Sequence, residues 1–251
     1  MFKYKTFATL TLTALLGVSN FAEAEMVKNI VLVHGAFADG SSWSEVTERL
    51  QTKGFHVTSV QNPLTSLSDD VTATERVLAR QHGDVLLVGH SWAGAVVTQA
   101  GNDPRVRGVV YLSALVPGSG ESVSGLLTRL GAPMSGMTPD KNGLIWLDNP
   151  ADFRRVMAGD VPAEKVKLLA ASQQPISASA FDGIVSHAAW KEKPTWYLMT
   201  KDDNALPYPV QEKIVKMTGS VAKQIPSSHM SMVSHPAEVA SFIESAARSF
   251  K

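Results

Sequence analysis

Residues 85–94 constrain this chain more than any other stretch. Val85-Leu86-Leu87-Val88 is an unbroken apolar run of strand length, Gly89 follows, and Ser91 opens a helical pattern through Val96, Val97 and Ala100. A serine on so sharp a strand-to-helix turn takes a strained backbone conformation, which only small neighbours accommodate. Its hydroxyl then stands at the carboxyl end of a sheet, beside the N-terminal amides of the helix. The spacing Gly89-x-Ser91-x-Ala93 is close to the G-x-S-x-G nucleophile elbow, with Ala93 where that pattern has its second glycine. The plainer reading is a serine that caps a helix. Which of the two holds depends on whether a base, an acid and an anion-binding loop fall at neighbouring strand ends.

Strand-like and helix-like segments alternate on both sides of this turn. Residues 30–33 form the first apolar run, and Ser42-x-x-Glu45 has capping-box spacing ahead of Trp43, Val46 and Leu50 at helical period. Gly54 is placed to end that helix, and residues 56–60 read as the second strand. Ser68 is placed to cap a helix bearing Val71, Val77 and Leu78, which Gly83 ends. Residues 107–112 and 195–199 read as further strands, with a helix over 210–217 and a short strand over 222–225. The last helix sets Val239, Phe242, Ile243 and Ala246 on one face. Such alternation predicts an α/β fold, a doubly wound and mostly parallel sheet of about six strands covered on both faces. Residues 116–193 break the pattern: they are rich in Gly, Pro and Ser, with short helical pieces over 151–157 and 163–171. They are expected to be a cap insertion over the carboxyl edge of the sheet, leaving 25–115 and 194–251 as the core.

The first 24 residues stand apart. Lys3 and Lys5 precede an apolar run over 7–18, and Ala22-Glu23-Ala24 is an A-x-A cleavage site. This is the pattern of a secretory signal peptide, and the run is too short to span a membrane. The mature chain is expected to begin near Glu25 and to be exported, to the periplasm or the medium, without membrane insertion. Removing Lys3, Lys5 and Glu23 leaves 21 basic residues against 22 acidic ones. A near-neutral chain without basic clusters argues against nucleic acid or anionic membranes as partners. There is no cysteine, which excludes disulfides, thiolate metal sites and cysteine nucleophiles, so an exported chain depends on its packed core.

In an open parallel sheet, ligands bind at the carboxyl ends of the strands. The loops expected there carry His34-Gly35-Ala36-Phe37, Ser91, Asp202-Asp203 and Ser227-Ser228-His229. A serine hydroxyl is a weak nucleophile until a base takes its proton, and the base needs an acid to fix its tautomer. The chain order serine, acid, histidine is the one this architecture requires. Of the seven histidines, His229 directly follows the last strand and is the candidate base. His34 precedes the anion-binding loop, His90 adjoins the serine with its side chain directed elsewhere, and His235 precedes Pro236, where a capping role fits better. For the acid, Asp203 is favoured over Asp202, whose better role is facing solvent or capping the turn. The two backbone donors of an oxyanion hole are then the N–H groups of Trp92 and Ala36, with Gly35 allowing close approach. Phe37 and Trp92 are the first candidates for substrate contact. No metal or organic cofactor is implied.

With these residues in place the chain resembles the α/β-hydrolase superfamily, nearest the branch of plant methylesterases, hydroxynitrile lyases and their bacterial relatives. The matching segments are Val31-Leu32-Val33-His34-Gly35-Ala36, Val88-Gly89-His90-Ser91, Tyr111-Leu112-Ser113-Ala114-Leu115-Val116-Pro117, Trp196-Tyr197-Leu198 and Ser228-His229-Met230. The resemblance covers nearly all of the mature chain and is weakest in the insertion. It implies an α/β-hydrolase fold and a serine hydrolase of small to medium carboxylic esters. A hydroxynitrile lyase or C–C bond hydrolase with the same triad, or a non-catalytic binding module of the same fold, are the alternatives. Lyases of this branch carry threonine at the loop glycine and lysine after the histidine, whereas this chain has Gly35 and Met230, the esterase pattern. Met134, Met137, Phe153, Phe181 and Trp190 of the insertion are candidates to line a pocket, or else to form the insertion's own core.

Overall fold

The structure is a computed structural model and describes residues 1–2, 26–134 and 136–250. The expected leader lies, but for its first two residues, outside the described residues. In chain order, β1 (Asn29–Val33) leads through a 3-10 turn to α1 (Ser44–Thr52), β2 (His56–Val60), α2 (Leu67–Leu78), β3 (Val85–His90), α3 (Ala93–Ala100) and β4 (Val106–Leu112). The intervening segment carries β5 (Glu121–Ser122), α4 (Val123–Arg129), β6 (Leu144–Ile145), α5 (Pro150–Val156), α6 (Ala163–Ser172), β7 (Ile176–Ser177) and β8 (Ile184–Val185). Then come β9 (Thr195–Thr200), α7 (Tyr208–Thr218), β10 (Val221–Ile225), α8 (Ser231–Ser234) and α9 (Pro236–Ala247).

Six strands form one sheet in the order β10-β9-β4-β3-β1-β2, parallel throughout. The doubly wound sheet predicted from the alternation is present. Its central strands explain why the apolar runs do not alternate: every residue of β3 and β9 is buried, because helices cover both faces. The edge strands are different, with only Val60 of β2 and Ile225 of β10 buried. From β1 the chain steps outward to β2 and then back across β1 to β3. Right-handed crossovers in opposite directions put their helices on opposite faces, and accordingly α1 packs on α9 while α2 packs on α3. The strand order reverses between β1 and β3, whose ends are paired through Val33 and Gly89. A crevice at such a reversal is where open α/β sheets bind ligands. The loops after β1 and β3 are the two that carry Gly35 and Ser91.

Two helix starts differ from expectation. Ser42 does not cap α1: its Oγ donates to the Asp39 carbonyl at 2.7 Å, and Asp39 instead caps the preceding 3-10 turn, accepting from Ser41 N–H at 2.7 Å. Ser68 lies inside α2, whose cap is Ser66, accepting from Asp69 N–H at 3.0 Å. The helix starts earlier because Leu64 holds a left-handed φ of 58° and turns the chain before the serine pair. Among the described residues, the segment between β4 and β9, where an insertion is expected, holds three α-helices, two 3-10 helices and two short antiparallel pairs, β5 with β8 and β6 with β7. Phe153 and Phe181 are buried, Met134 and Trp190 are partly buried, and Met137 is exposed.

Candidate active site

The turn after β3 is strained as its sequence demands. Ser91 has φ 53°, a left-handed conformation that costs a non-glycine residue about 1–3 kcal/mol. Its own backbone bonds hold it there. Ser91 N–H donates to Leu112 O at 3.1 Å, and Ser91 O accepts from Gly94 N–H at 2.9 Å and Leu115 N–H at 3.0 Å. The Leu115 side of that brace is fixed in turn by Tyr197 on β9, whose hydroxyl accepts from Ala114 N–H and donates to Ala114 O, both at 2.8 Å. At Gly89 a Cβ would come within 2.7 Å of Ala93 O and 2.6 Å of Val97 Cγ2, so strand and helix can meet only over a glycine. Ala93 is itself fully buried, and its methyl group fits.

Asp203 and His229 come from the loops after β9 and β10 and meet directly. His229 Nδ1–H donates to Asp203 Oδ2 at 2.7 Å, with both residues buried. Asp203 Oδ1 accepts from the N–H groups of Ala205 and Leu206 at 2.9 and 2.8 Å. Its Oδ2 also accepts from Thr200 Oγ1 at 2.7 Å and Gln211 Nε2 at 3.2 Å. The hydrogen bonds to this carboxylate all come from donors, and together they fix its plane. With Nδ1 committed as a donor, His229 Nε2 carries the lone pair, and it is buried without a hydrogen-bond partner among the described residues. Ser91 Oγ likewise has no partner among them, and Ser91 is partly exposed. Asp202 is exposed and meets the site only through its N–H, on Ser227 O at 3.0 Å.

His90 links the two halves. Its side chain does not point away from the site: Nε2–H donates to the His229 carbonyl at 2.9 Å, and the two rings lie 4.7 Å apart. Complete burial, and then the neighbouring His229, hold His90 well below the usual histidine range, so it is a neutral brace. Gly35 lies over both His90 and the serine. A Cβ there would sit 2.8 Å from Ser91 Cβ and 2.9 Å from His90 O, so the β1 loop reaches the serine only as glycine.

His34 sets the direction of that loop. Asn62 N–H donates to His34 Nε2 at 2.9 Å, which leaves the proton on Nδ1 to bond Gly35 O, also at 2.9 Å. Across a trans peptide the carbonyl and the next N–H point oppositely, so Ala36 N–H is aimed away from the His34 ring. Burial lowers the His34 pKa, and the ring is neutral in this role. Ala36 and Trp92 are both buried, and neither backbone N–H finds an acceptor among the described residues. Backbone N–H groups without a protein acceptor are available to bind negative charge. Phe37, next in the loop, is buried with φ 57°. The Trp92 indole is 1% exposed and packs edge-on to Phe181, with ring centroids 5.1 Å apart.

The segment between β4 and β9 is tied to the base loop. Met230 N–H donates to Met157 O at 3.0 Å, and Asp160 accepts from Ser228 N–H at 3.1 Å and from Ser228 Oγ. His235 holds the N-cap position of α9, its carbonyl accepting from Val239 N–H at 3.1 Å, but its ring makes no cap bond: Nε2 lies 3.3 Å from Asp160 Oδ2 and Nδ1 3.6 Å from Glu238 Oε1. Burial alone would raise the Asp160 pKa, but hydrogen bonds from Ser228 and its neighbouring serines hold it below the usual carboxylate range. A depressed carboxyl contributes stability that is present above its unfolded pKa and lost as pH falls through the folded one. Asp160→Ala strands two donors of the buried Ser228 and is expected to cost about 1–3 kcal/mol. The urea midpoint reads this, and an unchanged midpoint would show that the clasp contributes nothing.

The sequence profile of the alpha/beta hydrolase family matches residues 30–242. A pyrethroid hydrolase of Sphingobium wenxiniae is 29% identical over 246 residues, spanning 86% of this chain and 86% of its own length. A carbendazim hydrolyzing esterase of a Nocardioides species is 33% identical over 115 residues, 40% of this chain and 48% of that protein. Among solved structures, a methylesterase from Arabidopsis superposes with a TM-score of 0.73 at 24% identity, covering 88% of this chain and 98% of its own.

Proposed function

The chain belongs to the alpha/beta hydrolase family, and we propose that within it Ser91, His229 and Asp203 form the triad of a serine esterase. A relative named an esterase and another named a pyrethroid hydrolase support a carboxylic ester hydrolase. The finer reading is that small to medium esters are cleaved through an acyl-enzyme. Ser91 Oγ attacks the ester carbonyl as its proton passes to His229 Nε2. The electron pair of the carbonyl moves onto oxygen, which is held by the N–H groups of Ala36 and Trp92. The tetrahedral intermediate collapses, His229 gives its proton to the departing alcohol, and the acyl group remains on Ser91. Water, deprotonated by the same nitrogen, then releases the acid and restores the serine. The observation that carries this reading is the free, buried His229 Nε2, oriented by Asp203 through Nδ1.

Two features favour ester hydrolysis over cyanohydrin cleavage. The clash distances at Gly35 leave no room for a threonine beside Ser91 without moving the loop. Met230, following the base, is fully buried and offers no cation to the site. The test is a panel of p-nitrophenyl and methyl esters that varies acyl and alcohol length separately, run beside a cyanohydrin. Turnover of short-chain esters without cyanohydrin cleavage is expected. Cyanohydrin cleavage without ester turnover would overturn the reading.

A further inference from the structure

Asp70 plays no part in the chemistry described above, yet it occupies a costly position. Leu67, Asp70, Val71, Thr74 and Leu78 form the buried stripe of α2, so a carboxylate stands where helical period calls for an apolar side chain. Asp70 is fully buried, and no cation pairs with it among the described residues. Burial pushes its pKa up to about 6 despite two hydrogen bonds, with Asp69 beside it adding to the rise. A carboxyl whose pKa is raised in the fold contributes stability at low pH that is lost as pH rises through the folded value. Near neutrality the group therefore works against folding, and its retention points to what it holds.

It holds two things. Oδ1 accepts from Leu64 N–H at 2.8 Å, fixing the left-handed turn ahead of α2. Oδ2 accepts from the Trp92 indole N–H at 2.7 Å. Trp92 directly follows Ser91, and its indole is gripped between Asp70 on one side and Phe181 on the other. An indole bonded to Asp70 and packed on Phe181 restrains the Cα from which it hangs, and so limits how far the adjoining peptide plane, which carries the backbone N–H, can shift. We infer that Asp70 is a positioning residue: by anchoring the Trp92 indole, it aims the Trp92 backbone N–H at the developing oxyanion. This rests on the serine-esterase reading above.

The experiment is a double-mutant cycle on p-nitrophenyl acetate hydrolysis, using Asp70→Asn, Trp92→Phe and the pair, with Ser91→Ala as reference. Phenylalanine keeps a ring against Phe181 but has no N–H. Asparagine keeps the carboxyl shape but must turn its amide N–H₂ toward one of the two donors. Complete loss of one oxyanion donor costs about 10²–10³-fold in kcat, so a misaimed one is expected to cost roughly 10-fold in each single variant. KM should change by less than about 3-fold, because the ground-state carbonyl carries little of that charge. The double variant should be no slower than the slower single one, since both break the same bond. Wild-type kcat in Trp92→Phe, or a double variant as slow as the product of the singles, would overturn the inference. Should Asp70→Asn not fold, Trp92→Phe decides alone, because it removes the same hydrogen bond from the other end. Retained activity in Ser91→Ala would instead overturn the esterase reading itself.

Discussion

Ser91→Ala is expected to fold as the parent does and to lose ester hydrolysis by more than about 10⁴-fold in kcat. The two halves of that expectation have separate grounds. Ser91 Oγ makes no hydrogen bond among the described residues, and the bonds by which Ser91 itself holds the strained turn are made by its backbone atoms. Removing the hydroxyl therefore leaves unfolding free energy within about 0.5 kcal/mol of the parent. The proposed chemistry has no substitute for it, because no cysteine is present and His229 Nε2 is left with no hydroxyl to activate. Ser91→Gly separates strain from function further. Glycine takes φ 53° freely, so this variant should be about 1 kcal/mol more stable than Ser91→Ala and equally inactive. Thermal melts together with p-nitrophenyl acetate assays read both. A melting point for Ser91→Gly below that of Ser91→Ala would show that the turn is not strained in the way its φ indicates.

Asp203→Asn should lose about 10³–10⁴-fold in kcat with a much smaller change in KM. The Asp203 surroundings make the reason specific. Oδ1 faces two backbone N–H groups, and Oδ2 faces a hydroxyl, the Gln211 amide and His229 Nδ1–H. An asparagine must point its N–H₂ at one of these groups of donors. Toward Oδ1 it breaks the turn that carries the residue. Toward Oδ2 it confronts Nδ1–H and drives the imidazole to the other tautomer, with the proton on Nε2 and no base left for the serine. Asp202→Asn is the control, being exposed and bonded to the site only through its backbone. Equal losses in the two variants would contradict the assignment of the acid.

The sheet was legible in the sequence because its central strands are buried on both faces and read as unbroken apolar runs. Its helices were legible from their period. Caps were less so, since Ser42 and Ser68 each lie near a residue that competes for the same role, and a left-handed Leu64 moves the start of α2. The proximity of His229 to Asp203 followed from strand-end placement alone. What escaped was the set of residues that hold the site without being at strand ends. His90 adjoins the serine and reads in sequence as directed elsewhere, yet its ring packs against that of His229 and donates to the His229 carbonyl. Gln211 and Asp70 lie on helix faces, where a polar residue at an apolar period was the available signal. Their partners, Thr200 and Trp92, are brought to them only by tertiary packing, which no local pattern encodes.

The proposal that Ser91 is the nucleophile can be examined without knowing the natural ester. The protein is treated with a fluorophosphonate, digested, and the adduct located by mass spectrometry. One phosphonyl group per chain is predicted, on the peptide containing Ser91, with none on Ser91→Ala and slower labelling of Asp203→Asn. An adduct on any other serine, or stoichiometric labelling of Ser91→Ala, would contradict the assignment of Ser91 as the nucleophile.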